Sequence, residues 1–204
     1  ASGASPTKVS RSALKLIVRR MEEERFREFA KKLAAIISNN PALKAIEGSI
    51  EVTITSEGMR IELVEKGSGD DFFPTGSATM RPKAVVALAA IAEELSRLGG
   101  PLVLEGHTDG APLAAGGGAY TNWELSADRA NAARRVVVAA GVDPRRLRQV
   151  RGMADTELRD AADPLSPVNR RITILLPFSD DAAPTPGDST AAPDSASPPP
   201  AKRA

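Results

Sequence analysis

The sequence predicts an α+β fold, a two-layer sandwich with helices on one face of a small mixed β-sheet, preceded by a long N-terminal helix. Three patterns lead there. Over residues 8–39 apolar side chains recur at the 3.6-residue period of a helix. Over residues 50–63 apolar and polar side chains alternate, as in a hairpin. Farther on, strand, helix and strand patterns follow one another at residues 102–107, 122–140 and 147–152. Such a crossover lays its two strands parallel and, by the usual handedness, connects them right-handedly.

In chain order, Leu14, Ile17, Val18, Met21, Phe29, Leu33, Ile36 and Ile37 form the stripe of the first helix, with Phe26 nearby. Glu23 with Arg27 and Glu28 with Lys32 stand in the favourable i,i+4 order. Asn39-Asn40-Pro41 ends the run. Its stripe either packs on the domain or serves as a stalk or dimer helix. Ile50, Val52 and Ile54 alternate into a turn at Ser56-Glu57-Gly58, and Met59, Ile61 and Leu63 alternate out of it. Residues 66–77 read as a loop around Phe72-Phe73-Pro74. Pro82 suits the first turn of a helix whose Val85, Leu88, Ala92 and Leu95 share a face and which Gly99-Gly100 stop. A Gly/Ala-rich loop spans 109–121. Thr121-Asn122-Trp123-Glu124 then fits a capping box, opening a helix that Gly141 closes. Residues 147–152 and 171–176 read as the last strands, separated by a turn region with Pro164 and Pro167. The chain divides into a leader at 1–7, a linker or stalk helix at 8–40, a domain at 41–178 and a disordered tail at 179–204, where Pro, Ala, Ser and Asp leave nothing to bury.

With 204 residues, 42% of them hydrophobic, there is material for one good core. Twenty-seven basic and 26 acidic residues give a formal net charge of +1, so no broad field calls for nucleic acid, and a charged partner must be gripped locally. The absence of cysteine and the single histidine, His107, exclude disulfides and a Cys/His metal site. No cofactor is implied. The longest apolar stretch, residues 84–92, falls far short of the ~20 residues that cross a bilayer. A chain that opens Ala-Ser-Gly-Ala-Ser reads as processed or excised, with targeting information left out.

The chemistry concentrates where the crossover begins, because the carboxyl end of a strand and the amino end of the next helix meet at one sheet edge. Asp109 stands just past the strand. Asn122, Ser126 and Arg129 fall within roughly 60° of one another on the helix, on the side that continues as Ala133 and Val137. A guanidinium on a buried side needs a partner. Either Asp109 and Arg129 form a plain salt bridge that pins the loop, or a ligand carrying both an ammonium and a carboxylate completes the set. Rival readings are weaker. Ser126 with His107 lacks the strained G-x-S-x-G turn of a hydrolytic nucleophile, and His107 reads as a hydrogen-bonded orienter of the Thr108-Asp109 turn. Gly116-Gly117-Gly118 has no Lys-Ser/Thr after it and reads as a flexible loop rather than a phosphate cradle. Tyr120 and Trp123 flank the pocket, and the Trp either covers a ligand or simply packs.

Gly106-His107-Thr108-Asp109, then Asn122-x-x-Leu125-Ser126-x-x-Arg129-Ala130, then Asn169-Arg170-Arg171 resemble, in this order, the signature of the OmpA-like family, over residues 48–177. The resemblance implies an OmpA-like peptidoglycan-binding domain. Asp109 and Arg129 would hold the free diaminopimelate end of uncrosslinked stem peptides, with Thr108, Asn122, Leu125, Ser126 and Arg170 around them. The run Asn122-Trp123-Glu124-Leu125-Ser126, together with Gly152-Met153-Ala154-Asp155 and Gly76-Ser77-Ala78, resembles the stator-type, MotB-like branch of that family. That branch implies a homodimeric periplasmic domain, joined by the N-terminal helix to one inner-membrane span beside a MotA-type partner, which anchors the flagellar motor to the cell wall. The alternatives are a generic outer-membrane OmpA or Pal-type anchor and a peptidoglycan hydrolase using Asp109 or Glu105. Two departures stand out: no membrane span or proton-carrying aspartate is present, so ion conduction is not assigned, and Gly69-Asp70-Asp71 matches no family motif.

Overall fold

The computed structural model describes residues 10–44, 46–67, 71–113 and 120–179. Helix α1 (Arg11–Asn39) starts where the Ser10 hydroxyl accepts from Ala13 N at 3.1 Å, satisfying one of the donors that a helix start leaves open. Phe26, Phe29, Leu33 and Ile37 are buried, whereas Leu14, Leu16, Ile17 and Met21 stay exposed. The packing reading of the stripe therefore holds for the carboxyl half of the helix, while the amino half leaves its apolar side in solvent. Glu23 pairs with Arg27 at 3.2 Å, as expected. Glu28 pairs with Lys31 rather than Lys32, because Lys32 reaches the buried carboxylate of Glu94 at 2.5 Å, where the lower dielectric strengthens the attraction. A single turn, α2 (Pro41–Lys44), follows.

Strands β1 (Ile50–Ile54) and β2 (Gly58–Val64) form the hairpin. Helix α3 (Pro82–Leu98) has Pro82 at its first turn and ends at Gly99 and Gly100, both at positive φ. Its buried side carries Ala84, Ala87, Leu88, Ile91, Ala92 and Leu95, while Val85, expected among them, is exposed. The buried side is turned because α3 packs against α1, α2 and α4, neighbours that its own period cannot reveal. Strand β3 (Leu102–His107), helix α4 (Asn122–Ala139) and strand β4 (Leu147–Gly152) make the crossover, and β5 (Arg171–Pro177) completes the sheet. The order is β1-β2-β5-β3-β4, with β3 and β4 parallel and the other pairs antiparallel.

Alternation sends Met59, Ile61, Leu63, Leu104, Ile172, Ile174 and Leu176 into one core with the three long helices. The opposite face carries paired charges: Glu105 with Arg60 at 2.9 Å and Arg151 at 2.8 Å, and Glu62 with Arg159 at 3.0 Å and Arg171 at 3.1 Å. Such a face does not stack on a second sheet, so the architecture stops at two layers. Helix α4 lies so close to the sheet that a Cβ at Gly106 would meet Ser126 O at 2.1 Å, which ties its first turns to the end of β3.

The expected leader, the first residues of the expected helix at 8 and 9, Gly69-Asp70, the Gly116-Gly117-Gly118 loop and residues 180–204 lie outside the described residues. Ser179, assigned by composition to the tail, is tied to α1: its N–H donates to Glu22 Oε2 at 3.1 Å and its hydroxyl donates to Oε1. Among the described residues no helix is long and apolar enough to cross a membrane.

Candidate functional site

β3 delivers His107, Thr108 and Asp109 to the sheet edge where α4 begins. The capping box forms as its sequence predicts, with Glu124 accepting from Thr121 N at 2.7 Å. Asn122 then donates its amide to the carbonyls of Asp109, at 3.3 Å, and Ala111, at 2.9 Å. Thr108 N–H donates to Ala154 O at 2.9 Å, so the segment is also held from the exit of β4. Ala154 takes a positive φ there, a backbone state that costs energy for a residue with a Cβ.

The Asp109–Arg129 salt bridge is not formed. Asp109 pairs with Arg170, whose position follows from its neighbour in the chain. Asn169 is completely buried and holds the turn region: its amide donates to the carbonyls of Asp160, Asp163 and Pro164, and its oxygen accepts from Asp160 N at 2.7 Å. Arg129, only 3% exposed, gives its Nε–H to Ser77 O at 2.9 Å and a terminal N–H to Pro74 O at 3.4 Å. Its guanidinium lies 5.1 Å from the centre of the Phe73 ring. Burial, and then the neighbouring cation of Arg170, pull its pKa down to about 10, so it stays charged at neutral pH. The charges of Glu65 and Asp109 act in the opposite sense. Glu65, Phe72, Phe73, His107, Arg129 and Arg170 line one cleft.

The remaining expected residues have clear local work. Ser126 is buried; its hydroxyl donates to Trp123 O and accepts from Ala154 N, both at 3.0 Å, so it serves α4 and the β4 exit. Leu125 and Thr108 are buried beside it. Trp123 neither packs nor covers the cleft: it is 54% exposed, because the close approach of α4 to Gly106 and Gly152 turns the Ser126 side to the sheet. Tyr120 donates to Asp128 at 2.7 Å, and burial together with that carboxylate pushes its pKa up to about 12. His107 is fully buried, with neither ring nitrogen hydrogen-bonded among the described residues; the expected orienting hydrogen bond is absent, because the turn is held by backbone and Asn122 instead. Its Nε2 lies 3.9 Å from Glu105, an electrostatic contact, and burial lowers its pKa and keeps it neutral.

Three contributors escaped the sequence reading: Glu65, Phe73 and the carbonyls of Pro74 and Ser77. Glu65 was findable, because it continues the inward alternation of Ile61 and Leu63 and so places a carboxylate on the buried face. The carbonyls left no signal, since backbone oxygens are the same in every residue.

Chemically, the cleft is lined by the carboxylate of Glu65, engaged by three backbone donors, and by two guanidiniums: Arg170, paired with Asp109, and Arg129, in no salt bridge among the described residues. A buried guanidinium without a carboxylate partner suits an anionic group. Glu105, on the opposite face of the sheet, is poorly suited to acid/base work: both its oxygens are engaged, by Arg60 at 2.9 Å and Arg151 at 2.8 Å, and its pKa stays below the usual value despite burial. Among the described residues no cluster of three His, Cys, Asp or Glu side chains could hold a metal.

An OmpA-like domain is what this sheet, crossover and edge site define, and the OmpA family matches residues 72–171 of the chain. The chain is similar to motility protein B of Escherichia coli K12, 39% identical over 158 residues that cover 78% of this chain and 51% of the relative. The chain thus spans about half the length of the curated relatives it matches. Among solved structures, a MotB-like protein from Desulfovibrio vulgaris superposes with a TM-score of 0.65 at 21% identity, covering 79% of this chain and 99% of that one. The cell wall anchor of the T6SS from Pseudomonas aeruginosa follows the same fold with a TM-score of 0.55 at 26% identity, covering 70% and 96%.

Proposed function

We propose that this domain binds peptidoglycan without chemistry and anchors a flagellar stator to the cell wall. The free end of a diaminopimelate side chain supplies a carboxylate to Arg129 and an ammonium to Asp109. The observation that carries the reading is that Arg129 and Arg170 line one cleft, with Asp109 paired to Arg170 and Arg129 in no salt bridge among the described residues. Similarity to motility protein B, and to a protein described as a cell wall anchor, supports the same role. Thr108, Asn122, Leu125 and Ser126 hold the backbone and helix that present the two charges.

A single charge-assisted contact contributes about 1.5–3 kcal/mol, so one cleft on one stem peptide binds weakly. A homodimer facing a polymeric wall gains strength through effective concentration. The exposed Leu14, Leu16, Ile17 and Met21 of α1 suit that dimer and a connection toward an upstream inner-membrane span beside a MotA-type partner, with the domain in the periplasm. The test is co-sedimentation with purified sacculi. Asp109→Asn and Arg129→Ala are expected to stay folded and remain in the supernatant; if both still pellet with the wall, the site is wrong.

A further inference from the structure

Glu65 lies just past the end of β2, and its carboxylate is buried. It accepts three backbone hydrogen bonds from one short segment: Asp71 N at 2.7 Å, Phe72 N at 2.8 Å and Phe73 N at 3.0 Å. A carboxylate removed from water needs such donors, and three N–H groups converging on it draw the backbone into a fixed bend. The next residues are the ones that hold Arg129. Phe73 lies under the guanidinium, and Pro74 and Ser77 offer their carbonyls. The bend is closed from the far side by Ser77 N donating to Pro74 O at 3.0 Å and Arg81 N donating to Phe72 O at 2.9 Å. Glu65 N itself donates to Arg170 O at 3.0 Å, so the same residue touches the supports of both cleft arginines.

We propose that Glu65 is a positioning residue for the cleft, fixing the 71–77 segment whose Phe73 ring and Pro74 and Ser77 carbonyls aim the guanidinium of Arg129 at the ligand. This deepens the wall-binding reading and rests on it for the identity of the ligand. Direct capture of the ligand's ammonium by Glu65 is a poor alternative, because three backbone donors already occupy its oxygens. The effect passes through the segment to Arg129.

The test compares Glu65→Ala and Glu65→Gln with the unaltered chain. Gln keeps one carbonyl oxygen for Phe72 and Phe73 and turns an amide N–H2 toward Asp71. Titration with the tripeptide L-Ala-γ-D-Glu-meso-diaminopimelate is expected to show affinity weakened about tenfold or more in the Ala variant, and an intermediate value for Gln. In 15N spectra without ligand, the Arg129 Nε–H is expected to be protected from exchange in the unaltered chain, to lose protection in the Ala variant and to keep part of it in Gln. Phe26→Ala, destabilised at α1 far from the cleft, is expected to keep it. Protection unchanged in a folded Ala variant, or lost equally in Phe26→Ala, overturns the proposal. Should the Ala variant fail to fold, Gln decides: reduced protection supports the role and unchanged protection ends it. Failure of the unaltered chain to bind the tripeptide removes the wall-binding reading, while the Arg129 signal still decides for Glu65.

Discussion

Arg129→Met separates what the guanidinium does for the fold from what it does for a ligand. A base whose pKa falls from 12.5 to about 10 on folding is held in its charged form at a cost of about 3 kcal/mol, since each pKa unit is about 1.4 kcal/mol. The sign follows from the depressed value: the charged form is disfavoured at every pH below about 10, and the cost is relieved only as the pH rises through that value. Methionine removes the cost and fills similar volume. It also leaves the carbonyl of Ser77 without its donor, at about 1–3 kcal/mol when buried, while Pro74 O keeps the N–H of Ser77. The two effects oppose each other at similar size, so the variant should lie within about 2 kcal/mol of the unaltered chain, a melting shift of no more than about 8 °C for a domain of this size. Binding has no such compensation, and loss of a charge-assisted contact weakens it by about tenfold to a hundredfold. Calorimetric unfolding measures the first quantity and titration with a diaminopimelate-ended stem peptide the second. A variant destabilised by more than about 4 kcal/mol would show that Arg129 is a structural member of the core; one that is stable and binds normally would show that it is not a ligand contact.

Three further outcomes follow from the geometry. Gly106→Ala should destabilise by more than about 3 kcal/mol, read by urea unfolding, because its Cβ would overlap the Ser126 carbonyl backbone at 2.1 Å and α4 must lift from β3. Asn169→Ala should cost about 2–4 kcal/mol and speed limited proteolysis at residues 155–168, since four hydrogen bonds organise that segment through one side chain. Burial raises the pKa of Glu65 above 4.5 despite its three backbone donors, so the stability its protonated form contributes is full at low pH and is lost as the pH rises through the raised value. The stability of the unaltered chain relative to Glu65→Gln should therefore decline from about pH 4 toward neutrality, and a flat difference in denaturation midpoints would contradict the burial of an ionised carboxylate.

The sequence by itself determined the order and kind of the elements and much of their punctuation. Alternation at Ile50–Ile54, the Pro82 start, the Gly99-Gly100 stop and the Thr121–Glu124 capping box are decided by residues within a turn or two of one another, and each stands where its pattern places it. The meeting of Asp109 with α4 was also legible, because a parallel crossover brings a strand end and a helix start to the same edge. What pairs with what was decided only in the tertiary structure. Arg129 finds its acceptors 52 and 55 residues back in the chain, on a bend held by Glu65, and Asp109 finds Arg170 61 residues on, beside the buried clamp of Asn169. The exposure of Trp123, the turned face of α3 and the capture of Lys32 by Glu94 belong to the same class. Helical and strand periods report which side of an element is apolar; the partner of a charge depends on how loops from distant segments converge, and on which pairing best offsets the cost of taking that charge out of water.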